Sequence, residues 1–249
     1  MANDEHLALL RRGTATWNDW RKRSPGVMPD LERADLGGMS LADANLNSAN
    51  LISSELHEAE LKQANLAGAD LFRANLLQAN LAGANLFKAK LICTHLEFAN
   101  LTEVCLDGAD LSMANLTGAN LTRADLSRAS FFETVLGNVD LTGAKGLDEC
   151  NHYGPSIVDF RTLSRSKDLA ISFLRGCGLT DYLIDNLPSL SSGIIFYSCF
   201  ISYSSKDEPF VEKLKADLRD KGVPCWYAPD DLPVGSEISD AIDGKVRLF

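Results

Sequence analysis

From residue 31 to residue 141 a large apolar side chain recurs at every fifth position, 23 times without a gap; 22 of the 23 are Leu and the other is Phe131. Ala stands two places before it in 16 of the 23 pentads, and Asn or Asp stands immediately before it in 15. This period fits neither regular element. On a helix advancing about 100° per residue the Leu side chains would wander round the circumference. On a flat strand an odd spacing sends successive Leu residues to opposite faces. The pattern is satisfied if the chain turns a corner every five residues, so that each Leu points into a tube and each Ala fits the inside of a corner. Four sides make a coil of 20 residues, and the Asn or Asp is placed to hydrogen-bond backbone at the corner.

The flanks lack this period. Residues 4 to 23 read as two short helices broken at Gly13, with Leu7 and Leu10 on one face and Trp17 and Trp20 on another, stopped by Pro25 and Pro29. A tube with open ends needs cover for its outer Leu layer and unpaired backbone, and the two Trp residues are expected to plug the first coil. After Leu141 the repeat slips at Gly146 and Leu147. Helices are expected from Ser166 to Arg175, ended by Gly176, and from Thr180 to Leu187, ended by Pro188, with Leu169, Phe173 and Leu174 covering the last coil and 189–193 as a linker.

From residue 194 the pattern becomes α/β. Residues 194–203 form a near-continuous apolar run suited to a buried strand. Ser205 and Glu208 have capping-box spacing before a helix bearing Phe210, Val211, Leu214 and Leu218, and a second strand is expected from Val223 to Tyr227. A loop with Pro229, Asp230, Asp231, Pro233 and Gly235 leads to a helix with Ile238, Ile242 and Val246. The chain thus divides into a helical cap (1–30), a repeat array (31–147), a small helical linker (148–193) and a partial α/β module (194–249).

The runs Ala44-Asn45-Leu46, Ala64-Asn65-Leu66 and Ala124-Asp125-Leu126 resemble the pentapeptide-repeat family over about half the chain. The resemblance implies a mainly β fold, a right-handed quadrilateral β-helix; nearly six coils at ~4.8 Å each would make a rod roughly 28 Å long. The segments from Phe200 to Asp207 and from Trp226 to Gly235 resemble the first strand and the loop after the second strand of Toll/interleukin-1 receptor (TIR) domains. That resemblance covers the first part of such a domain, a flavodoxin-like fold, and implies a self-association loop at Pro229, Asp230, Asp231 and Gly235. In relatives that hydrolyse NAD it implies Phe200, Tyr203 and Trp226 near the nucleotide, with a catalytic Glu on a later helix. That Glu is expected beyond Phe249, so no catalytic residue is assigned, and NAD enters only if the half-module is completed by further residues or another chain.

Charge narrows the partners. The net charge is +1 over residues 1 to 30, −6 over 31 to 147 and −5 over the remainder, so no segment supplies the basic footprint that nucleic acid requires. No apolar run approaches membrane-spanning length, and the chain reads as cytoplasmic with no membrane partner. The six Cys residues include no C-x-x-C pair and read as reduced thiols with no metal site.

Residues 20 apart stack in columns, so the outer wall can be read directly. The positions after the first-side Leu give Ile52, Phe72, Ile92, Ser112 and Phe132, with Met113 beside the gap. An apolar stripe of this kind marks a contact surface for another subunit or for the C-terminal region of the same chain; alternatively the side chains lie flat on the wall. Acidic rods of this family can mimic DNA and occupy a topoisomerase, but the best acidic column here, Asp30, Asp70 and Asp110, is interrupted by Asn50, Lys90 and Ser130. His57 and His95 read as solvated wall residues. Two functions follow: a protein-interaction scaffold in bacterial TIR-type signalling or defence, resting on the intact array, and, as the alternative, an NAD hydrolase.

Overall fold

The structure is a computed structural model that describes residues 1–166, 169–193, 199–201, 208–220 and 225–227. It divides into two compact units, Met1–Asp185 and Asn186–Phe249.

The first unit is a four-sided tube. Each residue that precedes a rung forms a parallel bridge with the residue 20 further on, from Asp30↔Asn50 to Asp125↔Lys145. The sides are numbered by their first rungs: Leu31, Leu36, Leu41 and Leu46. Every rung from Leu31 to Leu141 is buried, Phe131 included, and so are the Ala residues two places before. Where Ala is replaced by a hydroxyl residue, the buried oxygen is satisfied: Ser54 Oγ donates to Leu51 O at 2.8 Å, Thr94 Oγ1 to Leu71 O at 2.9 Å and Thr134 Oγ1 to Leu111 O at 2.8 Å. Each buried Leu contributes ~1.5–3 kcal/mol before chain entropy is subtracted.

The corners are made locally. The Ala N–H donates to the preceding rung's carbonyl, as from Ala34 to Leu31 at 3.0 Å, closing a four-residue turn. The recurrent Asn or Asp accepts from the backbone N–H two residues on; Asp35 Oδ1 takes Gly37 N at 3.2 Å and Asn75 Oδ1 takes Leu77 N at 3.1 Å. The third residue of each turn has positive φ, and many are not Gly, for example Arg33 at 57° and Phe98 at 58°. Asn side chains also bridge coils: Asn50 Nδ2 donates to Asp30 Oδ1 at 3.1 Å and Asn100 Nδ2 to Asn80 Oδ1 at 3.1 Å.

Two helices, α1 (Asp4–Arg11) and α2 (Thr14–Arg23), cover the first coil, broken as expected at Gly13, whose φ is 102°. Leu10 and Trp17 are fully buried there, and Leu7 and Trp20 are partly buried against them.

The far end departs from the expected boundary at residue 147. Strands β1 (Ser130–Phe131) and β2 (Val135–Leu136) pair in parallel with β3 (Asn151–His152) and β4 (Ile157–Val158), so the wall continues into the stretch expected to be helical linker. The registers Ser130↔Asn151 and Val135↔Ile157 are 21 and 22 residues apart, which hides this coil from a strict period of 20. Helices α3 (Phe160–Arg165) and α4 (Ile171–Gly176) follow, and Phe173 and Leu174 are buried as expected. Helix α5 (Asp181–Gly193) runs through Pro188 and takes in the expected linker 189–193. One proline deletes a single backbone donor and need not end a helix of 13 residues.

In the second unit, β5 (Cys199–Ile201) and β6 (Cys225–Tyr227) pair in parallel, and α6 (Glu208–Asp220) lies between them in sequence. This is the expected β-α-β order. Among the described residues no helix is long and apolar enough to cross a membrane.

Candidate functional site

The rungs point inward and are buried, so the polar and exposed side chains of the tube lie on its outer wall and at its two ends. Ile52, Phe72, Ile92 and Phe132 form one column on the first side, each half-buried, with Met113 beside them 47 % exposed. The column is partly covered by its own chain. The Arg73 guanidinium sits 5.0 Å from the Phe72 ring centroid, Cys93 Sγ lies 3.8 Å from Met113 Sδ, and the Phe132 ring rests on Gly154, where a side chain would collide with it.

The column reading passed over the second side, whose first positions, Gly37, His57, Leu77, Glu97 and Thr117, hold one large apolar residue. Leu77, 37 % exposed, and Phe98, 58 % exposed, stand there among Asp35, Glu55, Glu58 and Glu97. The signal was the second position after the rung, where Phe98 falls and which a survey of first positions skips. His57 and His95 are on this side too, with Nδ1 3.8 Å from Glu55 Oε2 and 3.3 Å from Glu97 Oε1.

The first end is sealed by hydrogen bonds from α2. Thr14 Oγ1 donates to Ser40 O at 3.4 Å, Trp17 Nε1 to Asn45 O at 2.9 Å, Asn18 Nδ2 to Asp43 O at 2.9 Å and Arg21 Nη2 to Asn47 O at 3.0 Å. These positions follow the i, i+3, i+4, i+7 spacing and share one helix face. Burial lowers the Arg21 guanidinium pKa.

At the other end Thr162 Oγ1 donates to Leu136 O at 2.6 Å and accepts from Val139 N at 2.9 Å, and Ser166 Oγ accepts from Leu141 N at 3.0 Å. Burial pushes the Asp159 carboxyl up, but the N–H groups of Asn138 and Thr162 and the Arg161 guanidinium outweigh it and hold the pKa at about 2. His152 lies between Phe131 and Phe173, ring centroids 5.4 and 5.3 Å away, and burial lowers its pKa. Burial pushes the thiols of Cys150 and Cys177 up to about 12. Among the described residues no group of three or more His, Cys, Asp or Glu is placed to hold a metal.

In the second unit the register sets Phe200 opposite Trp226 on adjacent strands. Tyr203, Pro229, Asp230, Asp231 and Gly235 lie outside the described residues.

The family model for pentapeptide repeats matches eight copies within residues 30–145, and that for the TIR domain matches residues 199–248. Rfr23, a pentapeptide repeat protein from the cyanobacterium Cyanothece 51142, is 35 % identical over 40 % of this chain and 64 % of its own, with a TM-score of 0.29. The chain therefore spans less than two thirds of that protein's length. The pentapeptide repeat protein alr5209 from Nostoc Pcc 7120 is 31 % identical over 52 % of this chain and 92 % of its own, with a TM-score of 0.23. QnrB1, a plasmid-mediated fluoroquinolone resistance protein, is 16 % identical over 66 % of this chain and 92 % of its own, with a TM-score of 0.34. No curated protein matches the chain. The chain belongs to the pentapeptide-repeat proteins and carries, on its C-terminal side, a segment matched by the TIR domain family.

Proposed function

We infer that this protein is an interaction scaffold in which a stiff β-helix presents wall surfaces to protein partners and carries a TIR-type module for signalling or defence. The observation that carries this reading is the first-side column: Ile52, Phe72, Ile92 and Phe132 repeat at a fixed height on a wall whose every rung is buried. A rigid surface binds without the entropy of ordering it first. Self-association through this column is the simplest use of it. Sizing chromatography with light scattering tests it on the full chain. The wild type should associate with rising concentration, and Phe72→Glu with Phe132→Glu should be monomeric with an unchanged thermal melt. A monomeric wild type, or association unaffected by the pair, overturns the column as the contact.

A second reading, NAD hydrolysis, is favoured by the parallel pairing of Phe200 with Trp226 inside a TIR-matched segment. NAD would be a substrate there, and nicotinamide release from NAD by the purified chain is its test. Fold likeness alone does not establish that chemistry.

A further inference from the structure

The second side, comprising residues 34–38, 54–58, 74–78, 94–98 and 114–118, carries the carboxylates of Asp35, Glu55, Glu58 and Glu97 and no Lys or Arg. Each other side mixes in basic residues: Arg33, Arg73 and Lys90 on the first, Lys62 and Arg123 on the third, Lys88, Arg128 and Lys145 on the fourth. The acidic stretch ends where Arg165 of α3 reaches Asn138 Oδ1 at 2.8 Å. Coils repeat every ~4.8 Å, so Asp35 lies one coil from Glu55 and Glu58, inside the ~8 Å Debye length at physiological salt, while Glu97 lies two coils from them, at about that length, and their fields add in part.

Apolar surface sits inside this acidic field. Leu77 and Phe98 occupy adjacent coils and adjacent columns, and they are among the few large apolar side chains of the array to be well exposed. Phe98 is the one aromatic among the array's positive-φ residues, in a position that other pentads fill with Gly38, Gly68, Gly83 or Gly118. Its ring rests over Gly118, which leaves room for it. A bulky residue held at positive φ stores strain, of order 1 kcal/mol or more, and here it also exposes apolar area to water. Close by, Glu97 Oε1 accepts from Asn115 Nδ2 at 2.7 Å, while Glu97 Oε2 is buried without a hydrogen-bond partner.

We propose that this side binds a basic protein segment in which Lys or Arg residues flank an apolar side chain, the apolar group resting on Leu77 and Phe98 and the cations on Glu55 and Glu58, with the Glu97 carboxylate adding its charge from within the wall. The proposal rests on the scaffold reading and gives it a side and a partner chemistry. Nucleic acid and anionic lipid surfaces would be repelled by the same field, and a bare cation would have no use for the exposed Leu and Phe.

The test uses the full chain and a fluorescein-labelled peptide alternating Arg or Lys with Leu, read by fluorescence anisotropy. Saturable binding is expected, weakening as salt rises. Glu55→Lys with Glu58→Lys should weaken it at least about tenfold and Phe98→Ser about threefold to tenfold. The same charge change on the third side, Glu60→Lys with Glu103→Lys, should leave it within about threefold. Lys already occupies the matching wall positions, Lys90 immediately before a rung as Glu55 and Glu60 are, and Lys88 two places after a rung as Glu58 and Glu103 are, so these variants should keep the wild-type melt. No binding, or equal loss from both pairs, overturns the assignment and leaves the scaffold reading standing, since that reading fails only in the first-side column experiment.

Discussion

Trp17 Nε1 donates to Asn45 O at 2.9 Å, so the indole that fills the mouth of the tube also closes its exposed edge. Beside it, Asn18 does the same with its amide: Oδ1 accepts from Asn45 N at 2.8 Å and Nδ2 donates to Asp43 O at 2.9 Å. Asn18→Ala leaves both groups unpaired and should lower stability by about 1–3 kcal/mol, read by urea unfolding followed by circular dichroism. An unchanged midpoint would show that water satisfies the edge as well as the side chain does.

Thr162 is the counterpart at the far end, bonded to Leu136 O and Val139 N while fully buried. Thr162→Val keeps the shape and removes the hydroxyl, and should cost about 1–3 kcal/mol, whereas Thr162→Ser should recover most of it. Equal losses in the two variants would assign the effect to packing instead.

One inward charge should disrupt the stack. Leu81 is fully buried in the lumen, with rungs above and below it in the same column. Leu81→Ala should cost about 2–5 kcal/mol, and Leu81→Arg should abolish the cooperative β-helix transition, because a buried cation there has no partner. A melt unaltered by Leu81→Arg would count against the tube.

Acid should loosen the C-terminal end. His152 has both ring nitrogens buried without partners, and burial holds its pKa below the ordinary value of 6.5. The folded state therefore favours neutral imidazole, so its contribution is complete above about pH 6.5 and declines as pH falls through that value toward the folded pKa. His152→Phe keeps a ring between Phe131 and Phe173 and should raise the melting temperature more at pH 5 than at pH 7.5. A gain independent of pH would remove His152 from the acid response.

Thiol reactivity should divide by position. Cys93 and Cys105 are half-exposed on the wall, whereas Cys150 and Cys177 have pKa values pushed up to about 12 by burial. Iodoacetamide at about pH 8 should label the first two well before the second two, followed by peptide mass spectrometry. Early labelling of Cys177 would mean that the helical cover over the last coil opens readily.

The array was legible before folding because its period equals one side of the coil: each Leu, each inner Ala and each corner Asn or Asp has a place dictated by local geometry. Helix breakage at Gly13 and the β-α-β order followed from backbone and burial patterns of the same local kind. The final coil was not legible, since Asn151 and Ile157 stack at spacings of 21 and 22 residues and only through-space pairing reveals them. Nor was the length of α5, because the cost of Pro188 is set against the rest of its helix.

What the wall offers to a partner was likewise decided in three dimensions. Sequence placed Phe72 outside the tube, and the structure adds Leu77 and Phe98. Their exposure depends on what lies nearby, the Arg73 guanidinium over Phe72 and bare Gly118 beneath Phe98. The ends follow the same logic: Trp17, Asn18 and Thr162 find edge carbonyls and N–H groups only when their helices sit across the open coils. Periodicity governs contacts within a repeat, whereas contacts between a repeat and a non-repeating segment exist only once the chain has packed.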